Sequence, residues 1–266
     1  MPIGQKIKVA LYIILWFVIS LSISMLTSSI LIGFIPTTIV GVWAIYLFYP
    51  KFDPFSSIRF DNSKKLVALT FDDGPTSGFT EAVLKILKEK SVKASFFMIG
   101  EKADKNKDLV LQVLKEGHEI GAHTYTHKKL HLASLEEIKE QVGGTIQMIR
   151  SIYADSNKAD EYRPIFRAPH GFKSLRLKTY LRRQQIALVP WTRGVWDTSE
   201  PGHEWVFEKA THAPGNNEIL LFHDGKGLSD TVTSLQKDGL LIALPKVIDF
   251  YKNKGYTFIK VSDFIR

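Results

Sequence analysis

Residues 9–50 contain no Asp, Glu, Lys, Arg or His, an uncharged and mostly apolar run of 42 positions. As one continuous helix at ~1.5 Å per residue it would be about 63 Å long, twice the ~30 Å hydrocarbon core of a bilayer. The run therefore predicts a transmembrane hairpin, with crossings over residues 9–26 and 30–49 and a turn near Thr27-Ser28-Ser29. Trp16, Trp43, Tyr46 and Tyr49 are candidate interface anchors. One span followed by a bent stretch around Gly33-Phe34-Ile35-Pro36 is the alternative. A cleaved signal peptide fits less well, because its apolar region ends after about 7–15 residues.

Beyond residue 50 the pattern changes. Residues 51–63 read as a short polar linker with Pro54, and from 64 to 266 short apolar runs alternate with amphipathic stretches. The runs at 66–71, 94–99, 119–122, 165–167, 187–191, 219–222 and 257–261 predict strands. Helical periodicity marks 81–90, 109–116, 135–149, 174–183 and 240–252. Strand then helix, about seven times over, predicts an α/β domain with a mostly parallel sheet. Its chemistry should then gather just after the strands, in an open crevice or a barrel mouth. The chain is thus expected to comprise a membrane anchor (1–50), a linker (51–63) and a catalytic domain (64–266).

Composition narrows the class. The chain has 266 residues, 45% of them apolar, and no cysteine, which excludes a disordered tail, a disulfide scaffold and a thiolate metal site. The formal charge is +8; without Lys6 and Lys8 of the anchor the remaining 216 residues carry +6, too diffuse to argue nucleic acid. Lys6 and Lys8 before the hairpin and Lys51, Arg59, Lys64 and Lys65 after it would share one side, which the positive-inside rule places in the cytoplasm. A single crossing would put the domain outside. Both faces of the membrane remain open on this reading.

The candidate chemistry lies where the strands end. The first closes in Thr70-Phe71-Asp72-Asp73-Gly74-Pro75, and two adjacent carboxylates at the end of a buried strand repel unless a cation stands beside them. The third is followed by His123-Thr124-Tyr125-Thr126-His127; on a helical turn, imidazoles at i and i+4 share one face and reach one divalent ion. Two His and one Asp leave coordination positions open, as a catalytic site needs. The fourth ends in Arg167-Ala168-Pro169-His170-Gly171, where a guanidinium before a rigid turn suits bidentate orientation of a carboxylate. The sixth ends in Leu221-Phe222-His223, a candidate general acid. His118, His131, His170, His203 and His212 receive no metal role, and Lys226 lacks the glycines of a phosphate loop.

These ordered motifs resemble those of the NodB-type polysaccharide deacetylases, carbohydrate esterase family 4, over residues 66 to the end. The resemblance implies a distorted (β/α) barrel. It also implies roles: Asp73, His123 and His127 as ligands of a divalent metal, zinc first and cobalt second; Asp72 as base, Arg167 as its tether, and His223 as acid. Leu221 would line the pocket for the acetyl methyl, and Pro169, Trp191 and Trp196 would border the sugar. The family's fourth motif is only partly recovered in Trp191-Thr192-Arg193-Gly194-Val195-Trp196-Asp197, which leaves Asp197 as the candidate to orient His223.

The implied reaction removes N-acetyl groups from N-acetylglucosamine units of peptidoglycan or a chitin-like glycan. The implied partners are that glycan and the lipid bilayer. The expected location is the cell membrane with the domain outside. Rival readings are a deacetylase or deformylase of a lipid-linked amino sugar at the cytoplasmic face, an O-acetyl esterase on xylan-type glycan, and a membrane-anchored carbohydrate-binding protein without activity.

Overall fold

In a computed structural model of the chain, the described residues are 58–199, 202–228 and 238–265, with six isolated helical positions upstream (18, 19, 22, 25, 38 and 41). The chain divides into two compact units, Met1–Asp53 and Pro54–Arg266. The two expected crossings fall outside the described residues apart from those six positions. Among the described residues no helix is long and apolar enough to cross a membrane.

The second unit runs β1 (Leu66–Asp72), α1 (Phe79–Glu89), β2 (Ser95–Met98), α2 (Gly100–Lys105), α3 (Lys107–Lys115), β3 (Glu119–Ala122), α4 (Leu135–Ile138), a π turn (Lys139–Gly144), α5 (Thr145–Asp155) and β4 (Ile165–Phe166). It continues through α6 (Leu175–Arg183), β5 (Ala187–Leu188), β6 (Arg193–Gly194), α7 (His203–Thr211), β7 (Asn217–His223), α8 (Asp238–Asn253) and β8 (Thr257–Phe258). The strands form one parallel sheet in the order β5-β4-β3-β2-β1-β7-β6, with β8 against the start of β1. The expected barrel is therefore realised as a parallel sheet in which no ladder joins β5 to β6 among the described residues. Only four residues separate these strands, too few for a crossover helix.

Alternation along each strand builds two cores. Val67, Leu69 and Phe71 of β1, Phe96 and Met98 of β2, and Leu220 and Phe222 of β7 face the larger one, which the helices cover. Their neighbours Ala68, Phe97, Ile165, Ala187 and Ile219 meet in a second, smaller core, so the sheet curls around its own inner face. Both faces are buried, which is why these strands read as apolar runs rather than as alternating ones. Gly121 leaves room for its neighbours on the inner face: a Cβ there would stand 2.7 Å from Phe97 and 2.8 Å from Ile165.

Several spans differ from the expectation: α2 had no counterpart in it, and the helix expected over 135–149 is interrupted by the π turn. Ile58, within the stretch read as linker, bridges Ile265 and packs in the inner core with Val261 and Phe264, closing the end of the sheet where the strands begin. β6 and α7 carry weak periodicity and were not legible as elements.

His118, just before β3, is buried, accepts the Ala94 N–H at Nδ1 (3.1 Å) and packs against the Phe96 ring. Burial, then the charges of Lys93 and Lys260, push its pKa down to about 3. The unfolded chain therefore takes up a proton near pH 6.5 that the folded chain refuses until about pH 3. This group withdraws stability as pH falls through that window, by up to about 1.4 kcal/mol per unit. Urea unfolding from pH 7 to 4 should show that dependence, and His118→Gln, which keeps an acceptor and does not titrate, should flatten it.

Candidate active site

The inward alternation that fills the small core continues past it to the strand ends. Thr70 and Asp72 on β1 and Leu221 and His223 on β7 share the parity of Ala68 and Ile219, so they face the curl of the sheet at its carboxyl end. Arg167 follows β4 into the same space and is fully buried. Its Nη1 donates to Asp72 Oδ1 (2.8 Å) and Thr70 Oγ1 (2.7 Å), Nε to the Val189 carbonyl (3.3 Å) and Nη2 to the Pro190 carbonyl (3.1 Å). Its Cζ lies 4.1 Å from the Phe97 ring centroid. Burial pulls its pKa below the ordinary value, and Asp72 opposes that shift. The expected bidentate grip on a carboxylate is corrected: one nitrogen reaches Asp72. The rest of the fork serves a hydroxyl and two carbonyls, because a buried donor must find an acceptor wherever the fold offers one.

His123 Nδ1 stands 2.8 Å from the Arg167 carbonyl. A carbonyl only accepts, so Nδ1 carries the proton and Nε2 presents its lone pair. That Nε2 lies 3.3 Å from Asp73 Oδ1, and His127 Nε2 lies 3.0 Å from the same oxygen. Asp73 Oδ2 is engaged by the Gly227 N–H at 3.0 Å, whereas buried Oδ1 has no hydrogen bond among the described residues. The donor atoms of Asp73, His123 and His127 all lie within 4.8 Å of one another. An imidazole lone pair aimed at an unsatisfied carboxylate oxygen is unfavourable unless a cation stands between them, and two imidazoles with one carboxylate are a donor set suited to a divalent transition metal. The arrangement fits the implied ion. Burial would raise the Asp73 pKa, but positive charge on this side, whether on the two imidazoles when they are protonated or on His223, outweighs it and holds this carboxyl well below the usual range.

The expected helical turn between the histidines is a loop. Thr124 (φ 64°) and His127 (φ 57°) are left-handed, as is Asp73 (φ 72°), a conformation that non-glycine residues hold only where their surroundings over-determine it. The carbonyls of Thr124 and Tyr125 accept the Gly100 and Glu101 N–H groups at the start of α2 rather than helical amides. The i, i+4 spacing thus brings the rings together, with centroids 5.2 Å apart, by a different local geometry.

Across the mouth, Asp197 accepts both the backbone N–H and the Nδ1 proton of His223, at 2.8 Å each. Burial opposes a charge on this imidazole, yet Asp197, then Asp73 and Asp72, push its pKa up to about 9. Asp72 and His223 are register partners on adjacent strands.

Leu221 faces inward two residues before His223, and Pro169 is buried two residues after Arg167. Trp191 packs against the inner core with its ring 5.9 Å from the Arg167 guanidinium, whereas Trp196 is exposed beside Asp197. The His170 ring lies 4.9 Å from that of His127 but outside the donor set. Sequence reasoning missed the roles of Thr70, of the Gly227 amide and of Lys102, whose buried amine donates to the Asp73 carbonyl (3.1 Å). A hydroxyl placed in an apolar strand was the one available signal, at Thr70.

A parallel sheet carrying a carboxylate and two imidazoles at its carboxyl end, flanked by a tethered aspartate and an aspartate-held histidine, defines a metal-dependent hydrolase. The sequence model described as polysaccharide deacetylase matches residues 60–189. A peptidoglycan-N-acetylglucosamine deacetylase of Bacillus cereus is 34% identical over 216 residues, covering 77% of this chain and 90% of that one. A chitooligosaccharide deacetylase of Sinorhizobium fredii is 31% identical over 193 residues, 71% of this chain and 87% of that one. A crystal structure of a peptidoglycan N-acetylglucosamine deacetylase aligns with a TM-score of 0.68 at 28% identity, over 77% of this chain and 90% of the other. The chain belongs to the polysaccharide deacetylases of carbohydrate esterase family 4.

Titration of the full-length chain with cobalt(II) should saturate at one ion per chain. Asp73→Ala should abolish that binding and His170→Ala should leave it intact, which isothermal calorimetry can check.

Proposed function

We propose that this protein removes N-acetyl groups from N-acetylglucosamine units of a cell-wall glycan, as a zinc-dependent amidohydrolase anchored in the cell membrane. The observation that carries the reading is the convergence of three devices at one mouth: the Asp73, His123 and His127 donor set, the Asp72–Arg167 pair and the His223–Asp197 pair. The named activities of the similar deacetylases point to the same chemistry.

A divalent ion held by Asp73, His123 and His127 would supply Lewis acidity, which lowers the pKa of a bound water to about 7. Asp72 is the base: Arg167 fixes Oδ1, while Oδ2 stands 3.8 Å from His123 Nε2 and so faces the donor set. It takes the proton from the water that attacks the acetamide carbonyl. Asp197 holds the Nδ1 side of His223 and turns Nε2 the other way, towards the departing amine. With its pKa raised to about 9, His223 is protonated at neutral pH and can donate to that nitrogen. Leu221, inward and below His223, is suited to contact the acetyl methyl, and exposed Trp196 to contact the sugar ring. The products are acetate and a free amino sugar.

The uncharged run of residues 9–50 supports the anchor. Placement of the domain outside the cell follows from where cell-wall glycan lies, since large domains translocate largely regardless of flanking charge. The basic flanks favour the second reading, a lipid-linked amino sugar handled at the cytoplasmic face.

Acetate release from chitooligosaccharide and peptidoglycan by the full-length, zinc-loaded protein tests the activity. Asp72→Asn should lower kcat by at least about 10²-fold, the low end of what a positioned acid or base contributes. The wild-type rate should fall on the alkaline side as His223, whose pKa Asp197 raises, loses its proton. In Asp197→Asn that limb should move down towards the ordinary histidine value of about 6.5. Topology is tested separately: added protease should cleave the domain in intact cells and spare it in inverted vesicles, and the opposite pattern supports the lipid-linked substrate.

A further inference from the structure

The helix behind the histidine loop is irregular where it meets that loop. Between α4 and α5, residues Lys139–Gly144 form a π turn, a wider coil found mostly as single turns at functional sites. Two features accommodate it. Thr145 Oγ1 donates back to the Gln141 carbonyl at 2.9 Å, and Gly143 leaves room for the Tyr180 hydroxyl of α6, which a Cβ would meet at 2.5 Å. Within this turn the consecutive residues Gln141 and Val142 are both buried. Val142 joins the outer core, while Gln141 delivers an amide to the loop carrying the two imidazoles.

Gln141 Oε1 accepts the Thr126 backbone N–H and the Thr126 hydroxyl, at 3.0 Å each. A backbone N–H can only donate, so the amide oxygen must be the atom placed there. Thr126 immediately precedes His127, a left-handed residue that the local backbone does not favour. The preceding residues are tied on the other side, since the Thr124 and Tyr125 carbonyls accept the first two amides of α2 at 2.9 Å. All three residues between the imidazoles are therefore held from outside the loop, by the backbone of α2 and by the Gln141 side chain.

We propose that Gln141 is a positioning residue for the metal centre: the π turn carries its amide to Thr126, and that contact keeps His127 Nε2 aimed at Asp73. The inference rests on the metal-site reading above. Without the acceptor, the 126–127 peptide is free to leave its left-handed conformation, and the His127 ring goes with it.

Cobalt(II) titration of the full-length protein, followed by visible absorption and calorimetry, tests this without reference to turnover. Gln141→Leu should weaken cobalt affinity about 10-fold or more, in line with other residues that orient metal ligands, and should alter the absorption envelope. The melting temperature of the metal-free protein should stay near that of the wild type. Gln141→Glu, which retains an acceptor oxygen at the same reach, should restore affinity and spectrum, an outcome that a role in helix packing alone does not give. If Gln141→Leu does not fold, Gln141→Asn, which withdraws the oxygen by one methylene, takes its place with the same expectation. Wild-type affinity and spectrum in the folded variant overturn the proposal. Failure of the wild-type chain to bind cobalt overturns the metal reading instead.

Discussion

A guanidinium inside the curl of the sheet is the constraint on which the site depends. Arg167 is fully buried, and such a charge is tolerated only when its donors are satisfied and a counter-charge stands beside it. Asp72 supplies the counter-charge, Thr70 and two carbonyls take the remaining bonds, and the Phe97 ring covers one face. Removing one partner of a buried pair generally costs on the order of 3–5 kcal/mol. The same bond that stabilises the interior thus fixes the direction of the Asp72 carboxylate at its mouth. The Arg167 backbone carbonyl also sets the tautomer of His123, so this one residue orients both Asp72 and an imidazole of the candidate metal site.

Around that centre the fold separates charges that would otherwise couple badly. Asp72 and Asp73 are adjacent in sequence, yet one points to Arg167 and the other to the two imidazoles, a divergence that the left-handed Asp73 backbone permits. Asp197 lies across the mouth and raises the pKa of His223 by accepting its Nδ1 proton. Two carboxylates with opposite neighbours can take different roles within a few ångströms, as proton acceptor and as metal ligand.

The supports of the site come from irregular structure. The histidine loop leaves β3 in left-handed turns and is caught between the start of α2 and the π turn after α4. Local strain of this kind persists where several contacts agree on one geometry, and it recurs where reactive groups must be held rather than merely packed. The regular strands bring the residues to one end of the sheet; the loops decide where the donor atoms point.

The identity of the residues that converge at the candidate site was legible in the chain itself. Asp-Asp, His-x-x-x-His, Arg and His each follow a separate apolar run, and a parallel sheet brings the ends of such runs together whatever its exact closure. Sequence spacing could not give the path between His123 and His127, because an i, i+4 interval suits a helical turn and this loop equally. Nor could it give the partners of Arg167, which depend on carbonyls of Val189 and Pro190 that carry no side-chain signature. Ile58 read as linker because one apolar residue among polar neighbours carries no period, and its burial is decided by Ile265 at the far end of the chain. Residue type and order determine which groups can react. Their directions, acidities and supports arise from contacts between distant segments, and only the folded chain brings those segments within reach.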